Sequence, residues 1–524
     1  MKKNIFKYIS MRNSFNKRKK ISTSVENYKN NNIDKNIEDN IKQLKYLLGK
    51  SEDVIFDEFN IKKDKTIKAF ICFIDGLVDK KFITEEVIKV LREDINCRID
   101  ENDNISDVLK KDILNITELK EITSISGIIT SILSGEAVLF IDNCPTAIVM
   151  DVRKHIGRSV EKPDTEGNIR GSREGFTETL RVNTSLIRKI IKNPKLIFES
   201  LELGSQTNTK VCIAYIEGIA DNKIVKEVRK RLAKIDISSI LESGYIEQLI
   251  DDSPFSIFST IGNSERPDKI AAKLLEGRVA IICDGTPFVL SVPYLFIESF
   301  QVSEDYYSKP YLISLMRCIR VLAFIISLTL PSVYIAIETF HQEMIPTVLI
   351  LTAAAAREGT PFPTFVEVIV VEILFLLLRE GGIRMPKPIG QTVSFIGALI
   401  IGQSAVQAGI ISAPMVIIGS VTAIASFIIP QIYESTIFFR FLLISLSTML
   451  GFHGIILGII VMVSRMCSLK SFGVPYLQPI APTIWKQLKD SFIRFPLWSM
   501  NIKESNGNKT PKNPDNYNGD GKNG

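Results

Sequence analysis

Between residues 317 and 464 the chain is largely apolar, with charge confined to a few places, whereas residues 1–310 mix charged and apolar side chains throughout. A helix needs roughly 20 apolar residues to cross a bilayer, and this segment offers several such stretches. Residues 318–337 qualify, with Arg317 and Arg320 at one end and Pro331 inside as an expected kink. Residues 361–378, 389–409, 410–430 and 437–463 follow. Residues 345–356 are apolar but too short to span, which suits an interfacial or re-entrant segment. The last stretch is interrupted by Gly451-Phe452-His453-Gly454, so it reads as one tilted helix or a broken pair. The expectation is a soluble half joined to an all-α multi-pass transmembrane bundle over 317–464.

The soluble half carries an internal repeat. Three blocks align at one constant offset of 142 residues: Val54-Ile55-Phe56-Asp57 with Leu196-Ile197-Phe198-Glu199, Phe73-Ile74-Asp75-Gly76 with Tyr215-Ile216-Glu217-Gly218, and 135–145 (GEAVLFIDNCP) with 277–287 (GRVAIICDGTP). The short β-rich runs 68–74 and 211–216 predict strands, the apolar spacing of 84–91 and 223–232 predicts helices, and 137–141/147–151 and 279–283/288–292 predict hairpins about turns at Asp142 and Asp284. This reads as an α+β or α/β half built of two similar subdomains, 36–152 and 185–310, with a charged connector at 153–184. A disordered basic tail (1–35) and a cytosolic tail (465–524, disordered from about 503) complete the division. The repeated acid-Gly and Asp-turn positions have an adequate structural reason in tight turns.

Charge and composition exclude several classes. The net charge of +6 is mild for 524 residues, and the basic residues outside the N-terminal tail are interleaved with acids, which speaks against nucleic-acid binding. Seven scattered cysteines with no CxxC pair suggest reduced thiols, and three distant histidines make a metal site improbable. No apolar run follows the basic N-terminal residues, so no signal peptide is expected and the soluble half is expected to stay inside the cell. No nucleophile–base constellation stands out, so neither an enzyme nor a cofactor is expected.

The connector crowds both signs together: Glu161, Asp164, Glu166, Arg170, Arg173, Glu174 and Arg181 are candidates for a subunit-contact surface. Gly167, Gly171 and Gly175 recur every four residues, but the Walker spacing with its Lys-Ser/Thr is absent. The stretch EKPDTEGNIRGSREGFTETLRVNTSLIRK resembles the signature of GerA-type spore germination receptor A-subunits, as do REGTPFP at 357–363 and EGGIRMPKPIGQ at 380–391. The resemblance extends over about 40–500. It implies residence in the spore inner membrane with the soluble half cytoplasmic, a nutrient-sensing integral-membrane B-subunit, a lipoprotein C-subunit, self-association, and an ion-conducting pore opened from the B-subunit.

Two carboxylates, Glu367 and Glu372, lie inside an apolar stretch, where a charge must be paired or wetted; Arg357, Arg379 and Arg440 are the available partners. Five residues apart, the two acids point about 140° away from each other and do not form one site. Residues 389–409 are the pore candidate. Gly390, Ser394, Gly397 and Gly402 make a small-residue face for helix packing, and Thr392, Ile396, Ile400, Gln403 and Gln407 make the opposite, pore-lining face. One such helix cannot enclose a channel, so an oligomer is required. A secondary transporter would need an inverted repeat in the apolar half, which is not evident; a germination-amplifying paralogue of the receptor is indistinguishable by sequence. Arg379, Arg384 and Lys387 mark a cytoplasmic loop, yet a single span at 437–463 would place Arg465 and Lys470 outside.

Overall fold

The computed structural model describes residues 32–61, 67–93, 119–154, 163, 166–167, 170–385, 397, 400–485 and 488–496. The chain divides into two compact units. The first takes in the described residues up to Asp251 together with Ile261–Pro293; the second comprises Asp252–Thr260 and the described residues of Tyr294–Pro496.

In the first unit, α1 (Ile37–Leu48) begins at Asn36, whose side chain accepts from the Glu38 N–H, with Glu38 and Asp39 in the first turn where the helix dipole favours acids. Strands β1 (Val54–Ile61), β2 (Ile67–Ile74), β3 (Leu119–Ile122), β4 (Ala137–Ile141) and β5 (Ala147–Met150) form an antiparallel sheet of order β1-β2-β4-β5-β3. Its central strands are buried on both faces, so they read as continuous apolar runs rather than alternations. One face packs on α1 and α2 (Ile125–Leu133). The other packs on the helical stretch 80–93, which adopts π geometry over Ile83–Ile88.

The same arrangement recurs. Helix α3 (Leu180–Ile190) and strands β6 (Leu196–Leu203), β7 (Thr209–Ile216), β8 (Gly262–Ser264), β9 (Val279–Cys283) and β10 (Val289–Val292) give the order β6-β7-β9-β10-β8. Helices α4 (Asn222–Leu232), α5 (Ser243–Ile250) and α6 (Pro267–Leu275) complete the set, and α3 and α6 cover one face of the sheet. The correspondence reaches individual hydrogen bonds. Asp142 accepts from the Ile37 N–H (3.3 Å) and Asp284 from the Leu180 N–H (2.8 Å), so each turn acid caps the first helix of its own sheet. Asn40 donates to Asp34 O and Asn183 to Thr177 O, at 2.7 and 2.6 Å. Gly277 (φ +92°) leaves no room for a Cβ, which would stand 2.9 Å from Ile219 O.

Three boundaries differ from the sequence division. The connector ends before 184, because Phe176 is already buried in the second core and α3 starts at Leu180. Residues 294–310 belong to the helical unit, as do 252–260, where Phe258 stacks on Phe439 (centroids 5.2 Å apart) and Ile257 O accepts from Ser435. The stretch after 464, divided off as a cytosolic tail, belongs to the second unit as far as it is described. Tyr476 is buried, Phe296 N donates to Tyr476 O, and Ser471 Oγ donates to Thr260 O.

The second unit holds α7 (Pro310–Phe340), α8 (Thr347–Arg357), α9 (Thr364–Arg384), α10 (Ala413–Phe427), α11 (Tyr433–Leu450) and α12 (Phe452–Ser468). Among the described residues, α7 and Pro430–Leu450 are long and apolar enough to cross a membrane; α10 and α12 are shorter apolar helices. Arg379 and Arg384 lie within α9, where the sequence suggested a loop, because the Glu-Gly-Gly stretch continues the helix. The stretch 437–463 is a broken pair. Gly451 (φ +59°, ψ −136°) takes a conformation that L side chains avoid, and a Cβ there would stand 3.2 Å from the Phe340 ring. Gly451→Ala is therefore expected to cost about 1–3 kcal/mol. Gly402→Ala, with no atom of the described residues within 4 Å of its Cβ position, should stay within about 0.5 kcal/mol. Melting curves of the two variants in detergent separate these outcomes.

Candidate functional site

The polar groups among the apolar helices are organised around α9. Glu367, in its first turn, is fully buried; its Oε2 accepts from both the N–H (3.0 Å) and the hydroxyl (2.6 Å) of Ser412, while Oε1 lies 3.6 Å from Arg357. Arg357, at the end of α8, donates to Glu338 of α7 at 2.7 Å. One guanidinium thus ties α8 to α7 and α9.

Five residues on, Glu372 accepts from Arg440 of α11 at 2.7 Å, both side chains being 4% exposed. Arg440 also donates through Nε to Ser327 O at 2.6 Å. That carbonyl is available for a covalent reason: its helical partner would be the N–H of residue 331, and Pro331 has none. The proline orphans an acceptor in the middle of α7, and the arginine fills it. Three helices meet at this point. Arg379, the third arginine available to the acids, pairs with neither and stacks on the Tyr433 ring.

A second cluster fixes the start of α7. Arg317 and Asp305 are both fully buried and pair at 2.9 Å; Arg317 also reaches Asp490, and Arg320 donates to both Asp305 oxygens. Arg494 donates to Ser308 O at 2.7 Å. The chain segments entering α7 and following α12 are thereby held together. Sequence reasoning saw Arg317 and Arg320 as flanking basic residues and missed Asp305 and Asp490, whose only signal was an acid within reach of an apolar boundary.

Of the connector candidates, Glu161 and Asp164 lie outside the described residues. Three others are engaged within their own chain, which departs from the subunit-contact reading. Glu166 takes Lys269 and Ser264 (both 2.5 Å), with its carbonyl accepting from Arg266; Glu174 takes Lys189 at 2.7 Å; Arg181 sits in α3 and faces Asp75 at 3.3 Å. The reason is local: α3 and the start of α6 fold back over the connector and offer opposite charges. Arg170 and Arg173 are exposed. Elsewhere in this unit, burial and the Glu199 carboxylate push the Tyr215 phenol up to about 12, and burial pushes the Cys212 and Cys283 thiols up to about 12, which makes them packing groups.

Of the pore-face candidates, Thr392 and Ile396 lie outside the described residues, as do Gly390 and Ser394 of the packing face. Gln403 and Gln407 are exposed. At Gly397 a Cβ would run into Leu378; at Gly402 a Cβ would meet nothing within 4 Å among the described residues. Ile400–Ser404 is a π-helix, whose i→i+5 bonding shifts the faces inferred from α-helical spacing.

Among the described residues, one unit has two helices long and apolar enough to cross a membrane and ion pairs buried among its helices, and the other has two sheets of identical strand order, a mixed α/β and helical architecture. The family model described as Bacillus/Clostridium GerA spore germination protein matches residues 42–506, and the chain belongs to that family. It is 47% identical over 462 residues to spore germination protein KA of Bacillus subtilis (strain 168), covering 88% of this chain and 84% of that protein. It is 42% identical over 510 residues to the uncharacterized membrane protein YfkQ of the same organism, covering 95% and 98% of the two chains. The crystal structure of the N-terminal domain of the A subunit of the Bacillus megaterium spore germinant receptor GerK3 matches 51% of this chain and 98% of its own, at 35% identity and a TM-score of 0.41.

Proposed function

We propose that this chain is the A-subunit of a nutrient-germinant receptor of the spore inner membrane, that it triggers germination, and that copies of it surround a cation-release channel opened by a nutrient-sensing B-subunit, with a lipoprotein C-subunit in the complex. The observation that carries the reading is the buried ion pair Glu372–Arg440, with the half-buried pair Arg357–Glu338, among helices whose outer faces are apolar. The names of the relatives supply the process.

In this reading the chain crosses six times, through α7, α9, 389–409 (partly outside the described residues), α10, α11 and α12, the last two as separate spans. Gly451 beside Phe340 brings the ends of α7 and α11 together, and Arg317 on Asp490 brings the start of α7 to the segment after α12. An even number of crossings removes the conflict at 437–463. It puts Arg317, Arg320, Arg379, Arg384, Arg465 and Lys470 on one side, which the positive-inside rule makes cytoplasmic together with the duplicated N-terminal half. In this reading the exposed amides Gln403 and Gln407 line the path between copies, and Arg173 contributes to subunit contact. Cation flux from liposomes holding the purified oligomer tests the proposal. Gln403→Leu is expected to lower conductance several-fold and Ile396→Ala to raise leak; unchanged flux in both would remove 389–409 from the path.

A further inference from the structure

Arg379 and Arg440 open into one crevice between α9, α10 and α11, shared with Glu372, Gly419, Phe427 and Tyr433. Each guanidinium keeps one buried nitrogen without a hydrogen-bond partner: Nη1 of Arg379 and Nη2 of Arg440. Arg440 is 3% exposed. Glu372 neutralises Arg440, and the Tyr433 face attracts the Arg379 cation but accepts nothing from its in-plane N–H groups. The other carboxylates acting on Arg379, Glu380 and Glu434, are both exposed. The buried part of the crevice therefore holds two positive charges against one negative, with two donors unused. A buried donor left without an acceptor destabilises the fold, and a surplus buried charge does so more strongly.

We propose that the crevice binds a single monoatomic anion of the halide class, chloride being the physiological one, bridging Arg379 of α9 and Arg440 of α11. The enclosed space is on the order of one water molecule. That size excludes phosphate, a lipid headgroup or a carboxylate unless the helices part, and the Ser426 hydroxyl in the lining donates instead to the carbonyls of Thr422 and Ala423. Such an ion completes both guanidiniums, brings the local charge to zero and adds a third link between two helices that meet here through Glu372–Arg440 and the Arg379–Tyr433 stack.

The test is thermal unfolding of the full chain in non-ionic detergent, in potassium chloride or bromide against potassium gluconate at equal ionic strength. The wild-type protein should melt about 2–4 °C higher in either halide. Arg379→Gln should melt at the same temperature in all three salts. Arg384→Gln, which removes an exposed pair with Glu380, should keep the full difference. Because Arg379→Gln tests the site only if it folds, chloride-35 resonance line widths give an independent reading: wild-type protein should broaden the line in proportion to its concentration, and excess bromide should restore it. No halide effect in wild-type protein, an effect that survives Arg379→Gln, or stabilisation by phosphatidylglycerol vesicles in place of halide would each overturn the assignment.

Discussion

Replacing Glu372 with leucine is expected to destabilise the helical unit by about 3–5 kcal/mol, because Arg440 then keeps its charge in a buried site with no counter-charge of its own. Arg440→Met should be at least as damaging, since it strands the Glu372 carboxylate and leaves Ser327 O without a donor. The double variant, which removes both charges, should recover most of the loss. What remains is the unfilled Ser327 carbonyl, and this makes a sharper test available. Adding Pro331→Ala to the double variant restores an N–H at residue 331, which can donate to Ser327 O within α7. That third change should regain roughly 1–3 kcal/mol, whereas in wild-type protein it would compete with Arg440 for the same acceptor and gain little. Unfolding in detergent, read as a double-mutant cycle, measures the coupling. Strictly additive costs would show that the Glu372–Arg440 pair is not a unit.

Such relations show where sequence reading reaches its limit. Periodicity and apolar runs say that a residue is inside; they do not say what it meets. Asp142 and Asp284 were legible as turn residues, and their spacing exposed the duplication, yet each caps a helix more than a hundred positions earlier in the chain, a distance at which no local rule speaks. Pro331 was legible as a break in hydrogen bonding; that Arg440 repairs the break was not. Of the three arginines offered to Glu367 and Glu372, packing assigned Arg357 to one and Arg440 to the other, and gave Arg379 an aromatic face instead. Strand β3, four residues long beside a polar stretch, and α1, opened by its Asn36 cap, were passed over because short or charged elements carry little periodic signal. Gly451 gave both readings of 437–463 equal standing until its backbone angles chose the pair.

Arg188 is the place in the first unit where the largest loss is expected. It is 1% exposed and grips Asp53, equally buried, through Nε and Nη2 at 2.9 Å each; it also donates to Ser51 Oγ, Asn193 O and Leu196 O, and lies over the Phe198 ring. Around this contact the turn before β1 lies along the outer edge of β6: Glu52 N donates to Phe198 O at 3.1 Å, and Ser200 N to Glu52 Oε2 at 3.0 Å. One guanidinium therefore joins the two duplicated sheets. Arg188→Ala should cost about 3–5 kcal/mol, since Asp53 is left charged and buried. Arg188→Lys should rescue only part of it, because a single ammonium cannot serve the fork-like set of acceptors. Aligning α1 with α3 on Asn40 and Asn183, one residue off the strand offset, the counterpart of Arg188 is Lys45, which pairs with Glu58 at the surface with both side chains about half exposed, and at the strand offset the counterpart of Asp53 is Lys195. Lys45→Ala should therefore cost less than about 1 kcal/mol. The duplication was broken where a joint was needed, and urea unfolding of the three variants measures that asymmetry. Equal losses at Lys45 and Arg188 would mean that the two positions still do the same work and that the sheets are joined by something else.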